Sequence, residues 1–158
     1  MKIAILIPTY NASKTVKQTL ISVQQNIHEN NHLNTVAIVC DDNSQDNTLE
    51  IVENSWYLHR SLLEIIPSNK NQGERENINR ILKNVENNYD WFYIIHADDI
   101  AKEDWLSTIY HYSLLYKDAA SIATSYDVLH LDGSIEIGEN KEEVTMIRGN
   151  LTSIKSTL

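Results

Sequence analysis

Short apolar runs alternate along this chain with stretches whose apolar residues recur every three or four positions. Ile3–Ile7 reads as a buried strand. Val16, Leu20, Val23 and Ile27 then fall at helical spacing, on a helix that Ser13 is placed to cap. Val36–Cys40 is a second strand, followed by a short helix from about Asn47 with Asp46 as its cap. Leu62–Ile66 is a third strand. The helix after it starts near Glu74 and carries Ile78, Ile81, Leu82 and Val85 on one face. Trp91–Ile95 is a fourth strand, Trp105, Leu106, Ile109, Tyr112 and Tyr116 mark a fourth helix, and Ser121–Ser125 is a candidate fifth strand. Strands alternating with helices predict an α/β fold, a mainly parallel doubly wound sheet with helices on both faces, because right-handed crossovers place them there. The pattern changes near the end, where Val128–Leu131 and Ser134–Ile137 flank Asp132-Gly133. That is a C-terminal β-hairpin with the signal of a type I′ turn.

Nothing rich in proline or glycine divides the 158 residues, so they are expected to form a single domain, 1–158. No run approaches the roughly 18 apolar residues needed to span a bilayer, and the start passes directly into a strand. These features lead to the expectation of a cytoplasmic protein. The one cysteine, Cys40, rules out an internal disulfide and reads as a small buried hydrophobe. A formal net charge of -9 argues against nucleic acid as a partner, since phosphate backbones are held by clustered Lys and Arg. An anionic small ligand would then need a metal, or placed cations such as Lys70 and Arg75, to reverse the field within one cleft.

Four segments carry candidate chemistry, each at the end of a predicted strand. Pro8-Thr9-Tyr10-Asn11 has no glycine cradle for a dinucleotide. It offers instead a tyrosine ring on which a base can stack, in a turn stiffened by Pro8. In Asp41-Asp42-Asn43-Ser44, a carboxylate can accept from a base N–H. The stretch from Asn69 to Arg75 leads into a helix, where free backbone N–H groups and a guanidinium are available to phosphate, with Gly73 allowing a close turn. In His96-Ala97-Asp98-Asp99, two like charges side by side call for a cation or hydrogen bonds, and hard oxygen ligands suit a divalent ion holding a diphosphate. His96 reads as a ligand, a neighbour of the ligands, or a satisfied histidine. His28, His32, His59, His111 and His130 show no metal-ligand spacing.

The ordered set Pro8-Thr9-Tyr10-Asn11, Asp41-Asp42-Asn43-Ser44-x-Asp46, Asn71-x-Gly73 and Ala97-Asp98-Asp99 resembles the family 2 glycosyltransferases of the GT-A fold. The resemblance covers about Ile3 to Trp105. It implies that Pro8, Tyr10, Asn11, Asp42, Gly73, Arg75 and Asp98 form the donor site, with Tyr10 stacked on the base and Asp42 reading its edge. It also implies that Asp99 and Asp98 hold Mg2+ or Mn2+, Asp99 being the better metal candidate. The implied donor is a UDP- or dTDP-sugar, the implied acceptor a saccharide or lipid-linked glycan, and the implied reaction a metal-dependent, inverting transfer. The full-length protein would then sit in the cytoplasm or peripherally on the inner face of the membrane. Two positions depart from the pattern. His96 stands where the family carries the first Asp of its acidic motif, and Asn77-Ile78-Asn79 replaces Ala-Arg-Asn, leaving Arg75 as the substitute arginine. No Glu or Asp follows Glu143, so no catalytic base is assigned, and the chain is expected to be the donor-binding part of a longer enzyme. Two other classes compete: a non-catalytic nucleotide-sugar binding module, and a phosphoacceptor domain, which would need a lone acceptor Asp at the end of a central strand and a Lys on the last strand, where Ser121–Ser125 is not followed by one.

Overall fold

In the computed structural model, residues 1–117, 122, 127–130 and 132–137 are described. Two compact units are present, the first running to Leu106 and the second beginning at Ser107, within a helix. The first unit is built from β1 (Lys2–Thr9), α1 (Val16–Glu29), β2 (Asn34–Asp41), α2 (Thr48–Ser55), β3 (Leu63–Pro67), α3 (Glu74–Val85) and β4 (Trp91–Ile94). α4 (Trp105–Leu115) follows, and then β5 (Val128–Leu129) and β6 (Ile135–Glu136).

β1 to β4 form one parallel sheet in the order β3-β2-β1-β4. Two successive steps run outward from β1 to β2 to β3, and the third returns past β1 to β4. With right-handed crossovers, α1 and α2 therefore fall on one face and α3 on the other. The side-chain alternation agrees. Ala4, Leu6, Ile38 and Cys40 pack with Ile78, Ile81 and Val85 of α3. Their neighbours Ile3, Ile5, Ile7, Ala37 and Val39 point the opposite way and are equally inaccessible. Burial on both faces is why β1 and β2 read as continuous apolar runs rather than alternating ones. The register sets Thr9 beside Asp41 and Asp41 beside Pro67, so the carboxyl ends of three strands finish level.

The predicted elements appear within one to three residues of their expected positions, with three refinements. Ser13 does not cap α1. The helix starts after Thr15, whose side chain makes no capping bond, and the Ser13 N–H instead donates to Asp46 Oδ2 at 3.2 Å. Asp46 acts on α2 from one residue before its N-cap Asn47, accepting from the Thr48 N–H at 3.1 Å. The hairpin is not closed by a type I′ turn, which needs positive φ at both central residues. Of Asp132 and Gly133 only Gly133 is left-handed, at φ 85, and His130 N–H donates to Ser134 O across a loop one residue longer. The candidate strand Ser121–Ser125 lies outside the described residues except for Ile122.

Two polar residues buried on α1 position the segment that follows the acidic motif. Ser22 Oγ accepts from the Ala101 N–H at 3.0 Å. Asn26 donates to Lys102 O at 2.9 Å and accepts from the Leu106 N–H at 2.9 Å, which caps the start of α4.

Candidate functional site

The sheet order reverses between β1 and β4, and in open α/β sheets the crevice outside the strand carboxyl ends at such a reversal is where ligands bind. A cleft of about 590 Å3 lies there, formed by Pro8–Ala12 and Thr15, by Asp42, by Asn71, Gly73, Glu74 and Asn77, and by His96–Asp98. Of the residues singled out in the sequence, Pro8, Tyr10, Asn11, Asp42, Gly73 and Asp98 all line this one space. Four loops, remote along the chain, meet in it.

Each loop is fixed by the next. Asn11 has a left-handed φ of 47, tolerable for Asn, and presents both ends to the β2 loop. Its N–H donates to Ser44 Oγ at 2.9 Å and its Oδ1 accepts from the Gln45 N–H at 2.8 Å. The Ala12 N–H donates to Thr48 Oγ1 at 2.9 Å. Asp41, buried, accepts from the Ser44 N–H at 3.0 Å and from the Ser44 hydroxyl at 2.5 Å. Tyr10, by contrast, is 48% exposed at the mouth, free to present its ring.

Asp42 is 3% exposed, and its carboxylate is turned toward the loop before α3. It accepts from the Gln72 N–H at 3.0 Å and from the Gly73 N–H at 2.8 Å, a role sequence reasoning missed. The N–H groups expected to be open to phosphate are thus partly engaged by Asp42. Carboxylate oxygens offer about four lone-pair positions, so capacity remains for a further donor. Gly73 sits at φ 88, ψ 153, a conformation L side chains rarely adopt. Asn77, also missed, is a buried part of the cleft wall. Its Nδ2 donates to Cys40 O at 2.6 Å and its Oδ1 accepts from Arg80 at 2.8 Å. No spacing signal distinguishes it, because its partner is a backbone carbonyl two strands away in the chain.

Two expected cations are elsewhere. Arg75 pairs with its neighbour Glu76 at 2.9 Å on the exposed side of α3, and neither it nor Lys70 lines the cleft. Adjacent residues on a helix project in different directions, so Glu74 inside the cleft places Arg75 outside. Among the described residues the cleft wall therefore carries Asp42, Glu74 and Asp98 without a Lys or Arg. The acidic segment is exposed: Asp99 has 61% of its side chain accessible, and its Oδ2 lies 3.7 Å from His96 Nδ1. Among the described residues no three His, Cys, Asp or Glu side chains converge as a metal cage. Asp98 lines the cleft and Asp99, next in the chain, is not among the lining residues; a Mg2+ or Mn2+ bound mainly by diphosphate oxygens and water needs only one or two carboxylates, and the hard oxygens of this exposed segment suit such an ion.

A doubly wound sheet whose reversal point opens into a polar cleft defines an open α/β protein of the class that takes ligands at its strand carboxyl ends. The particular family follows from comparison: the glycosyl transferase family 2 profile matches residues 4–145, and the chain belongs to that family. It is 35% identical over 98 residues to the dTDP-rhamnosyl transferase RfbG of Shigella flexneri, a match covering 61% of this chain and 32% of that protein. The chain spans about a third of the length of the curated relatives it matches. The fold is similar to that of S. aureus TarS 1-349 in complex with UDP-GlcNAc, at a TM-score of 0.62 and 22% identity over 81% of this chain and 37% of the other. It is also similar to the mannosyltransferase PcManGT from Pyrobaculum calidifontis in complex with GDP-Man and Mn2+, at a TM-score of 0.62 and 19% identity over 71% and 32%. Among the described residues no helix is long and apolar enough to cross a membrane.

Proposed function

We propose that this chain is the donor-binding part of a metal-dependent, inverting glycosyltransferase that takes its sugar from UDP or dTDP and passes it to a saccharide or lipid-linked acceptor. The observation that carries the reading is the convergence of Tyr10, Asp42, Gly73 and Asp98 on one cleft at the reversal of the sheet. Family membership supports it, as do the names of similar proteins, one a dTDP-rhamnosyl transferase and others solved with UDP-GlcNAc or GDP-Man.

In this reading the exposed Tyr10 ring stacks on the base, a contact that any base can make. Asp42, already oriented by two backbone N–H groups, accepts from a base N–H and so discriminates among bases. The first turn of α3 carries Glu74 and Glu76, which answer the positive end of the helix, so among the described residues no cationic side chain there is available to the diphosphate. Asp98 and Asp99 would hold the Mg2+ or Mn2+ that offsets charge on the departing nucleoside diphosphate. The acceptor hydroxyl attacks the anomeric carbon as the bond to phosphate breaks, and the base that takes its proton comes from outside the residues assigned here.

Calorimetric titration of UDP, dTDP and GDP, with and without Mn2+, tests the reading. Binding should require the ion and disappear in Asp99→Ala. Equal, metal-independent binding by that variant would remove the role given to Asp99. A non-catalytic module would bind the donor equally well, and assembly with the rest of the enzyme would release no nucleoside diphosphate.

A further inference from the structure

His96 stands between two carboxylates that belong to different elements. Its Nε2 lies 3.0 Å from Glu74 Oε1 at the start of α3, and its Nδ1 lies 3.7 Å from Asp99 Oδ2. An ionised carboxylate only accepts, so the short contact with Glu74 requires the ring proton on Nε2. In the neutral ring Nδ1 then carries a bare lone pair. It faces another acceptor across a gap too long for a hydrogen bond. Two facing lone pairs repel unless a positive centre stands between them. Two donors each roughly 2.1–2.3 Å from one metal ion are about 3–3.8 Å apart, which is the spacing seen. The third element of such a site is also in place, because a ligating histidine characteristically donates its other N–H to a carboxylate that fixes its tautomer and orientation.

We propose that His96 Nδ1 and Asp99 Oδ2 form a mixed nitrogen–oxygen chelate, oriented by Glu74, that selects a first-row transition ion over Mg2+. The inference rests on the donor-site reading above and specifies which ion that site takes. Mg2+ prefers oxygen and near-ideal octahedral geometry, whereas imidazole nitrogen favours transition ions. In this geometry Asp99 rather than Asp98 supplies the carboxylate on the ion, so two protein ligands leave the remaining positions to diphosphate oxygens and water and no three-residue cage is needed.

The test uses the 158-residue chain with UDP as probe. Pulsed electron paramagnetic resonance of bound Mn2+ should show a nitrogen coupling from one imidazole, lost in His96→Ala. Glu74→Gln should retain the coupling while weakening Mn2+ affinity about 10-fold or more. His96→Asp should lose the coupling and move the Mn2+ over Mg2+ preference toward parity. Since the His96 side chain is 49% exposed, its removal empties no core, and circular dichroism of each variant checks folding. UDP and Mn2+ bound together without nitrogen coupling, or a coupling that survives His96→Ala, overturns this inference alone. Such a result fits a doubly protonated ring bridging two carboxylates. Absence of UDP and dTDP binding with every ion tested would instead overturn the donor-site reading, and the chelate with it.

Discussion

Tyr10 and Asp46 show how differently two exposed side chains in neighbouring loops serve the site. Tyr10 is half exposed, so Tyr10→Ala should change the melting temperature little. Base–aromatic stacking contributes about 1–3 kcal/mol, so UDP binding measured by calorimetry should weaken roughly 5- to 150-fold. Asp46 ties the β1 loop to α2. Desolvation pushes its carboxyl up, but hydrogen bonds from Thr48 and Ser13 prevail and hold it at about 2, against the usual 3.8. A group depressed on folding stabilises fully above its unfolded value and loses that contribution as pH falls through its folded one. Melting temperatures of the parent and of Asp46→Asn should therefore differ most above pH 4 and draw together toward pH 2. The identities of the cleft residues were legible in sequence because carboxylates and a tyrosine at strand ends have chemistry to offer. Their bonding was not. Asp42 turns to the Gln72 and Gly73 amides and Arg75 turns to Glu76, choices made by backbone direction and helix phase rather than by residue type.

The loop from β3 into α3 is the element on which most of the site depends. Gly73 has nothing within 4 Å of where a Cβ would stand, yet its φ of 88 strains any L side chain. Gly73→Ala should accordingly cost about 1–3 kcal/mol in urea unfolding, through conformation rather than crowding. It should also weaken UDP binding, since its N–H helps orient Asp42. If stability falls while UDP affinity is unchanged, Asp42 does not depend on this loop for its aim. α3 itself was legible from the periodicity of Ile78, Ile81, Leu82 and Val85, three of which lie in the core cluster and one against it. Asn77 was not, because a buried amide bonding the Cys40 carbonyl leaves no periodic trace. The start of α1 was misjudged at Ser13 for a related reason. A serine before an apolar stripe is a local capping signal, but here tertiary bonding to Asp46 governs the turn.

For the molecule as a whole, the parallel arrangement was legible because a strand covered on both faces must be apolar throughout, and few other structures produce such runs. What periodicity does not contain is strand order, and it is the order β3-β2-β1-β4 that puts the reversal, and with it the cleft, between β1 and β4. Cys40 lies near the carboxyl end of the inner strand β2, fully covered, and burial pushes its thiol up to about 12. Thiolate, not thiol, attacks disulfide reagents, so the folded protein should be nearly inert to Ellman's reagent at neutral pH. Colour would develop only as fast as the sheet opens, turning the lone thiol into a stopwatch for unfolding. Saturating UDP and Mn2+ should slow that reaction by a factor approaching one plus ligand concentration over Kd, whereas a ligand-independent rate would mean that the cleft closes without steadying the sheet behind it.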